Sequence, residues 1–301
     1  MDFFLQQLFN GLAVGGIYAL VALGYTMVYG VMKLMNFAHG ELFTMGAFLG
    51  LTLLGVFSFT EVLGPFGGIF VLILMVMGMV AIMGVLLERV AYRPLRNSPR
   101  LSAIVSALGA SIFLQNAIML MYGARFQVYP HGLLPNTPVS LFGVDIPLLR
   151  ILLFLVSVFM MAGLYFFVQR TRIGTAIRAA AIDQDAARLM GINVDRVIQI
   201  VFIIGPALGA AAGVMVGIYY GQINFTMGWI FGLKAFTAAI IGGIGNIPGA
   251  MLGGLLLGVL ETMGAAYIST AWKDAIAFGV LILILLVRPR GILGERVADK
   301  L

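Results

Sequence analysis

Few side chains in this sequence could do chemistry inside an apolar setting. Glu41 follows His39 by two positions in "MNFAHGELF", Lys234 interrupts "GLKAFTAA", and Glu261 interrupts "GVLETMGAAY". Asp274 is a further carboxylate of this kind. A carboxylate in an apolar segment is costly unless it pairs or faces water. Lys234 is the nearest opposite charge to Glu261 in neighbouring segments, and both a structural pair and a pathway role fit. Gln115 and Asn116 are amides within "SIFLQNAIML". Interhelical hydrogen bonding is the ordinary use of such groups, worth about 0.6 kcal/mol each in a bilayer. The arrangement of nucleophile and base that catalysis needs cannot be argued from these residues. His39 and His131 fall on different sides of the threading below, and His39 and Glu41 do not share a helix face. A metal site is therefore not expected. Cysteine is absent, which excludes disulfides and thiolate metal sites.

The energy source is equally constrained. The phosphate-cradling pattern G-x-x-x-x-G-K-[ST] does not occur, so no nucleotide cofactor is expected on this chain. "GGIGNIPG" (242–249) is glycine-rich but lacks the lysine. It reads as a tight bend or close backbone approach, with backbone lining a solute path as the alternative. ATP must act through a partner, or the chain is an ion-driven carrier or a channel.

The elements that must position these groups are membrane spans. The chain has 301 residues, of which 61% are hydrophobic and only 10% charged, and its mean hydropathy is +1.07. A soluble domain carries about 25% charged residues. Charge this sparse cannot cover a surface facing water, and the lipid bilayer is the expected surrounding. The apolar runs are continuous rather than alternating, which favours an all-α, polytopic integral membrane bundle over a β-barrel. Spans are expected near 8–30, 34–58, 66–87, 101–121, 147–168, 199–220, 228–244, 248–267 and 275–287. Glycine and asparagine interrupt the first, second and seventh, so any of these three can be broken or re-entrant, and eight to ten crossings fit. The chain reads as a single transmembrane domain over residues 1–301. The N-terminus "MDFFLQQ" lacks a basic region, and no cleavable signal peptide is expected.

Orientation follows the basic loops. Lys33, Arg89, Arg93, Arg96, Arg100, Arg170, Arg172, Arg178, Arg188, Arg196, Arg288, Arg290, Arg296 and Lys300 fall on one side, 14 of the 18 basic residues. That side is assigned to the cytoplasm. The net charge of +6 is a topology signal, and nucleic acid is not an expected partner. The N-terminus and the loop 122–147 are then external. The proline and glycine in that loop suit an ordered lid or docking loop, or a plain connector.

The charged segment 169–199 is a conspicuous exception to the apolar pattern. In "TRIGTAIRAAAIDQDAARLMG" (171–191), Ala179, Ile182, Ala186 and Leu189 follow helical spacing and predict one apolar face. Asp185 and Arg188 are three apart, where an ion pair forms. Gly191 stands where a left-handed cap would end the helix, and "NVDR" (193–196) can cap the next span. The alanines allow another surface to approach closely. Two further stretches, "YGVMKLMNFAHGELF" (29–43) and "YGQINFTMGWIF" (220–231), share Tyr-Gly and then Asn-Phe-x-x-Gly-x-[Leu/Ile]-Phe. One starts at each side, the pattern of an inverted repeat with broken helices at its interface. Asn36 and Asn224 become equivalent positions, suited to bond freed backbone groups at a helix break. Solute binding is their alternative role. Runs of small residues at 207–217 and 242–258 permit close helix packing, including with a second membrane chain.

Asp185-Ala186-Ala187-x-x-x-Gly191 resembles the EAA-type loop of ABC importer permeases, with aspartate in place of glutamate. The usual Ile-x-Leu-Pro tail is replaced by "IVFIIGP" (200–206), which points to the branched-chain amino-acid and sugar group. "GYTMVYGVMKLMNFAHGELFTMGAF" (24–48), "ERVAYRPLR" (88–96), "SALGASIFLQN" (106–116), "GLKAFTAAIIGGIGNIPGAMLGG" (232–254) and "GILG" (291–294) are similar to branched-chain amino-acid permeases of the LivH type, over nearly the whole chain. The resemblance implies an importer of leucine, isoleucine and valine in a bacterial inner membrane, working by alternating access. It implies a second permease of the LivM type, two ATPase subunits that bind ATP and Mg, and a periplasmic binding protein as partners. Arg178, Asp183, Asp185, Ala186, Ala187, Arg188 and Gly191 would then couple to the ATPase. Asn36, His39, Glu41, Gln115, Asn116, Asn224, Lys234 and Glu261 are the pathway candidates. Urea, short amides or simple sugars are alternative cargoes, and a stand-alone channel or carrier is the alternative class.

Overall fold

The computed structural model describes residues 2–294 except 58, 97, 131, 135, 136, 142 and 143. His131, Arg296 and Lys300 lie outside the described residues. The helices are α1 (Asp2–Met32), α2 (His39–Val56), α3 (Phe59–Leu87), α4 (Arg100–Tyr122), α5 (Leu148–Arg170), α6 (Arg172–Ile182), α7 (Gln184–Leu189), α8 (Val194–Tyr220), α9 (Met227–Gly242), α10 (Ile247–Tyr267) and α11 (Lys273–Val287). Among the described residues, eight helices are long and apolar enough to cross a membrane, and α9 is a shorter apolar helix of 16 residues. The first span is not broken: α1 runs 31 residues without interruption, about 46 Å at 1.5 Å per residue. The breaks lie after it and before α9, at 33–38 and 221–226. Lys33 enters the first of these with a left-handed φ of 54°. Gly64, with φ 72°, kinks α3 just before Pro65, where a proline ring cannot continue the preceding turn.

The bundle has two ends. At one, Gln184 donates to the Val31 carbonyl at 2.7 Å, Arg96 reaches Asp195, and the backbone of Ile292 and Leu293 bonds Ile241 and Gly242 at 2.8 and 3.0 Å. This is the arginine-rich end. At the other, Arg150 reaches Asn10, Phe3 packs on Tyr267, and β1 (Gln127–Val128) pairs antiparallel with β4 (Gln222–Ile223). β2 (Pro138–Leu141) and β3 (Val144–Pro147) make a second antiparallel pair there. The bundle is all-helical, and these strands are an addition confined to its end. Proline and glycine between 123 and 147 deny the backbone a helix, and pairing satisfies the groups left over. The loop is anchored: Tyr129 is buried, its hydroxyl donates to the Ala47 carbonyl at 2.8 Å, and Gly50 and Gly217 make room for its ring.

The packing repeats with inverted sense. α10 lies on α1 as α3 lies on α8, α9 on α1 as α2 on α8, α9 on α10 as α2 on α3, and α11 on α9 as α4 on α2. Small residues bring the backbones together. Gly11 and Gly15 of α1 sit against Gly258 and Val259 of α10, and Ala19 against Gly254; Gly213 of α8 sits against the Phe43 carbonyl. The small-residue runs are thus used within this chain. Apolar contact gives no gain over lipid, so close backbone approach is what holds spans together.

Candidate functional site

At the centre, the first two turns of α2 and α9 lie side by side with opposite direction. A methyl group at Gly40 would collide with the Gly228 carbonyl, and one at Gly228 with the Gly40 carbonyl. The rings of Phe43 and Phe231 stack with centroids 5.2 Å apart. Gly40 and Gly228, and Phe43 and Phe231, are matched positions of the two similar stretches, so equivalent residues meet across one axis. Both helix starts carry the same backbone bond, from His39 to Asn36 at 3.0 Å and from Met227 to Asn224 at 3.3 Å. The asparagine side chains do something else than expected. Asn36 is buried and accepts from the Tyr92 hydroxyl at 2.8 Å, while Asn224 accepts from the Thr226 hydroxyl at 3.3 Å. The helix starts fill their backbone needs locally, which leaves the amides for side-chain partners.

His39 and Glu41 are both buried on α2. The His39 ring fills the space left by Gly24 of α1 and Gly209 of α8 and packs edge-on against Tyr25 at 4.7 Å. Neither ring nitrogen makes a hydrogen bond of normal geometry, although the Val21 carbonyl lies alongside. Glu41 lies beside Ser111 of α4 and lines a cavity of about 30 Å³ between α1, α2 and α9. Its Oε2 has no hydrogen-bond partner.

Lys234 and Glu261 do pair, at 2.8 Å, and they belong to a larger cluster. Glu261 also accepts from Lys273 at 2.9 Å and from the Tyr18 hydroxyl at 3.1 Å. Lys234 also reaches Asp274 at 2.7 Å. Two cations and two carboxylates balance. The cluster runs from a buried centre to the exposed start of α11. Tyr18, Lys273 and the whole of this closure were not assigned from sequence. The signal available was weak, since a tyrosine amid apolar residues is ordinary in a span.

Two pathway candidates fall elsewhere. Asn116 is on an exposed face of α4 and donates to the Ile112 carbonyl of its own helix at 2.7 Å, so it makes no interhelical bond. The i–4 carbonyl is the nearest acceptor for a short amide on a face without a neighbour. Gln115 is half-buried on the same helix. Neither joins the α2–α9 crossing or the charge cluster.

At the arginine-rich end, the segment 171–191 is two helices rather than one. Thr171 caps α6 through the Gly174 amide at 3.0 Å. Asp183 is extended, with φ −151°, and caps α7 through the amides of Asp185 and Ala186 at 2.9 and 3.1 Å. An aspartate offering two such bonds outcompetes a continuing helix. The predicted face is therefore shared between two helices, with Ala179 half-buried on α6 and Ala186 exposed on α7. Ile182, Leu189 and Met190 are instead 87%, 89% and 82% exposed, and Ala187 is buried against the bundle at 3%. Asp185 and Arg188 pair at 3.1 Å. Gly191 closes α7 with φ 83°, the Gly191 amide bonding Arg188 and the Ile192 amide bonding Ala187, both at 3.0 Å. This left-handed closure is the one that glycine permits. Asn193 caps α8 through the Arg196 amide at 3.0 Å. Arg178 bonds Gln169 at 2.6 Å and lies on the exposed side. Beside this knob, Arg96 holds both the fully buried Glu88 and Asp195 at the start of α8. It ties the end of α3 to the segment that emerges from the knob.

The glycine-rich turn 242–249 is a close backbone approach. Gly242 and Gly249 touch, Gly243 and Gly245 have φ of 105° and 96°, and Asn246 caps α10 at 2.9 Å. The C-terminal Gly291–Gly294 stretch docks on it.

Residues 7–285 match the family described as "Branched-chain amino acid transport system / permease component". The chain is 48% identical to the high-affinity branched-chain amino acid transport system permease protein BraD of Pseudomonas aeruginosa, over 99% of this chain and 98% of that protein. It is 44% identical to the permease protein LivH of Escherichia coli, with the same coverage. Its fold is similar to a solved structure described as an inward-facing conformation of a metal-chelate type ABC transporter, with a TM-score of 0.52 at 18% identity, covering 93% of this chain and 85% of that one. On this evidence the chain is a multi-pass membrane permease and belongs to the branched-chain amino acid transport system permease family.

Proposed function

We propose that this chain is one membrane subunit of an ATP-driven importer of leucine, isoleucine and valine in a bacterial inner membrane. ATP and Mg are bound by partner ATPase subunits, a binding protein delivers the cargo, and a LivM-type permease completes the membrane part. The observation that carries the energetic reading is the α6–α7 knob. Three large apolar side chains stand almost fully exposed on a capped, rigid element at the arginine-rich end. Such a patch in water marks a protein contact. Thr171, Asp183 and Gly191 fix its shape, and Gln184 and Ala187 fix it to α1 and α8. A push on it therefore reaches the bundle without being absorbed by a floppy loop. Arg178, Asp185 and Arg188 form its charged surround, with Ala186 exposed among them, and the α2–α9 crossing at Glu41 is the route we assign to the solute.

The test is uptake of labelled leucine by the reconstituted complex carrying Leu189→Glu with Met190→Glu. The expected result is normal membrane insertion of the chain, loss of ATPase subunits on purification, and uptake lowered by about tenfold or more, as for loss of an interface hot spot. Full ATPase retention and normal uptake would refute the coupling role. Labelled urea run in parallel separates the cargo classes, and transport by this chain alone would make it a channel or carrier.

A further inference from the structure

We propose that Glu41 and the aromatic rings around it bind a primary ammonium group, the α-ammonium of the transported amino acid; this rests on the importer reading above. The cavity of about 30 Å³ at the α2–α9 crossing is lined by Tyr25, Phe37, Trp229 and Phe236, with Gly228 and Glu41. Glu41 is buried, and one of its carboxylate oxygens has no partner. An aromatic lining with one unsatisfied carboxylate oxygen favours a cation over an anion. The protein's own nearby cations are committed: Lys234 and Lys273 are paired with Glu261 and Asp274. The space suits a group the size of a water molecule. It therefore admits an ammonium head and leaves a branched side chain outside. Trp229 and Leu233, both partly exposed on α9, line the same cavity.

The position supports the same assignment. Glu41 and Trp229 each stand five residues after the matched asparagines, Asn36 and Asn224. They are therefore counterparts in the two inverted halves, and they meet where those halves cross. A solute held between them feels any rocking of one half against the other, which is the geometry of midplane transport sites. His39, two residues away, faces α1 and α8 instead and is not part of this cavity.

The chain contains two tryptophans, Trp229 and Trp272, so the site carries its own reporter. The purified intact complex is prepared with Trp272→Phe, and the signal of Trp229 is taken as the difference from a complex with both tryptophans replaced by phenylalanine. Titration with 3-methylbutylamine should shift Trp229 fluorescence, and 4-methylpentanoate, which has the same branched tail and no ammonium, should not. Glu41→Gln should weaken the amine response about tenfold, the loss of one charge-assisted hydrogen bond, and Glu41→Asp should restore part of it. Leucine uptake should fall in step. An equal response to the acid, a site filled by sodium in place of the amine, or an unchanged response in Glu41→Gln would overturn the proposal. If the wild-type complex imports no branched-chain amino acid, the importer reading fails; if it does and the amine response is missing, the ammonium site alone fails.

Discussion

Replacing Glu261 by glutamine tests whether the buried charge cluster holds α9, α10 and α11 together. Glu261 is fully buried and accepts from Lys234, Lys273 and Tyr18. Removing one partner of a buried pair costs about 3–5 kcal/mol, because the other charge is left without compensation. The loss here falls at the lower end. Lys234 keeps Asp274 at 2.7 Å, but that carboxylate is 63% exposed, so water screens the contact. Glutamine can still accept from Tyr18, a neutral bond worth about 0.6 kcal/mol in a bilayer. The expected cost of Glu261→Gln is therefore about 3 kcal/mol. Lys234→Met should cost less, about 2 kcal/mol, because Glu261 retains Lys273. The double variant should cost less than the sum, with a coupling energy of about 2 kcal/mol. The assay is unfolding of the purified chain in mixed micelles titrated with sodium dodecyl sulfate, as wild type, two single variants and the double. Additive losses, with coupling below about 0.5 kcal/mol, would refute the claim that the pair acts as a buried unit. Normal folding of the singles with failed transport would instead move the pair from scaffold to pathway.

Two further outcomes follow from the ends of the bundle. Arg96→Gln strands the fully buried Glu88 without its cation, so it should destabilise the chain by about 3 kcal/mol; Glu88→Gln added to it should recover most of this, measured by the same titration. Tyr129→Phe removes the bond to the Ala47 carbonyl while keeping the ring, at a cost of about 1 kcal/mol. Faster proteolysis of the loop 122–147 in membranes is the expected readout, and wild-type protection would show that the ring alone anchors it.

Much of the architecture was legible in the chain itself. Runs of about 20 apolar residues mark spans because nothing else so long avoids charge, and α3, α4, α5, α8 and α10 lie where those runs are. The break before α2 and the short α9 were visible in their glycines and asparagines. The cap at Gly191, the Asp185–Arg188 pair and the Lys234–Glu261 pair follow from spacing and from the scarcity of opposite charges. These are local or one-dimensional signals. The halves of the repeat were visible too, because Asn-Phe-x-x-Gly recurs.

What tertiary structure decided is which faces meet. In lipid the outside of a span is as apolar as its inside, so periodicity does not reveal the buried side. Hence Asn116 turned outward and bonded its own helix, while Tyr18 reached a carboxylate 243 residues away. Ala187 faced inward and Ile182 and Leu189 outward, and Asp183 spent its side chain on a cap that divides α6 from α7. The aromatic lining of Glu41 gathers residues from α1, α9 and the 33–38 break. Steric fit between glycine-bearing helices, set by Gly40 against Gly228, brought them together.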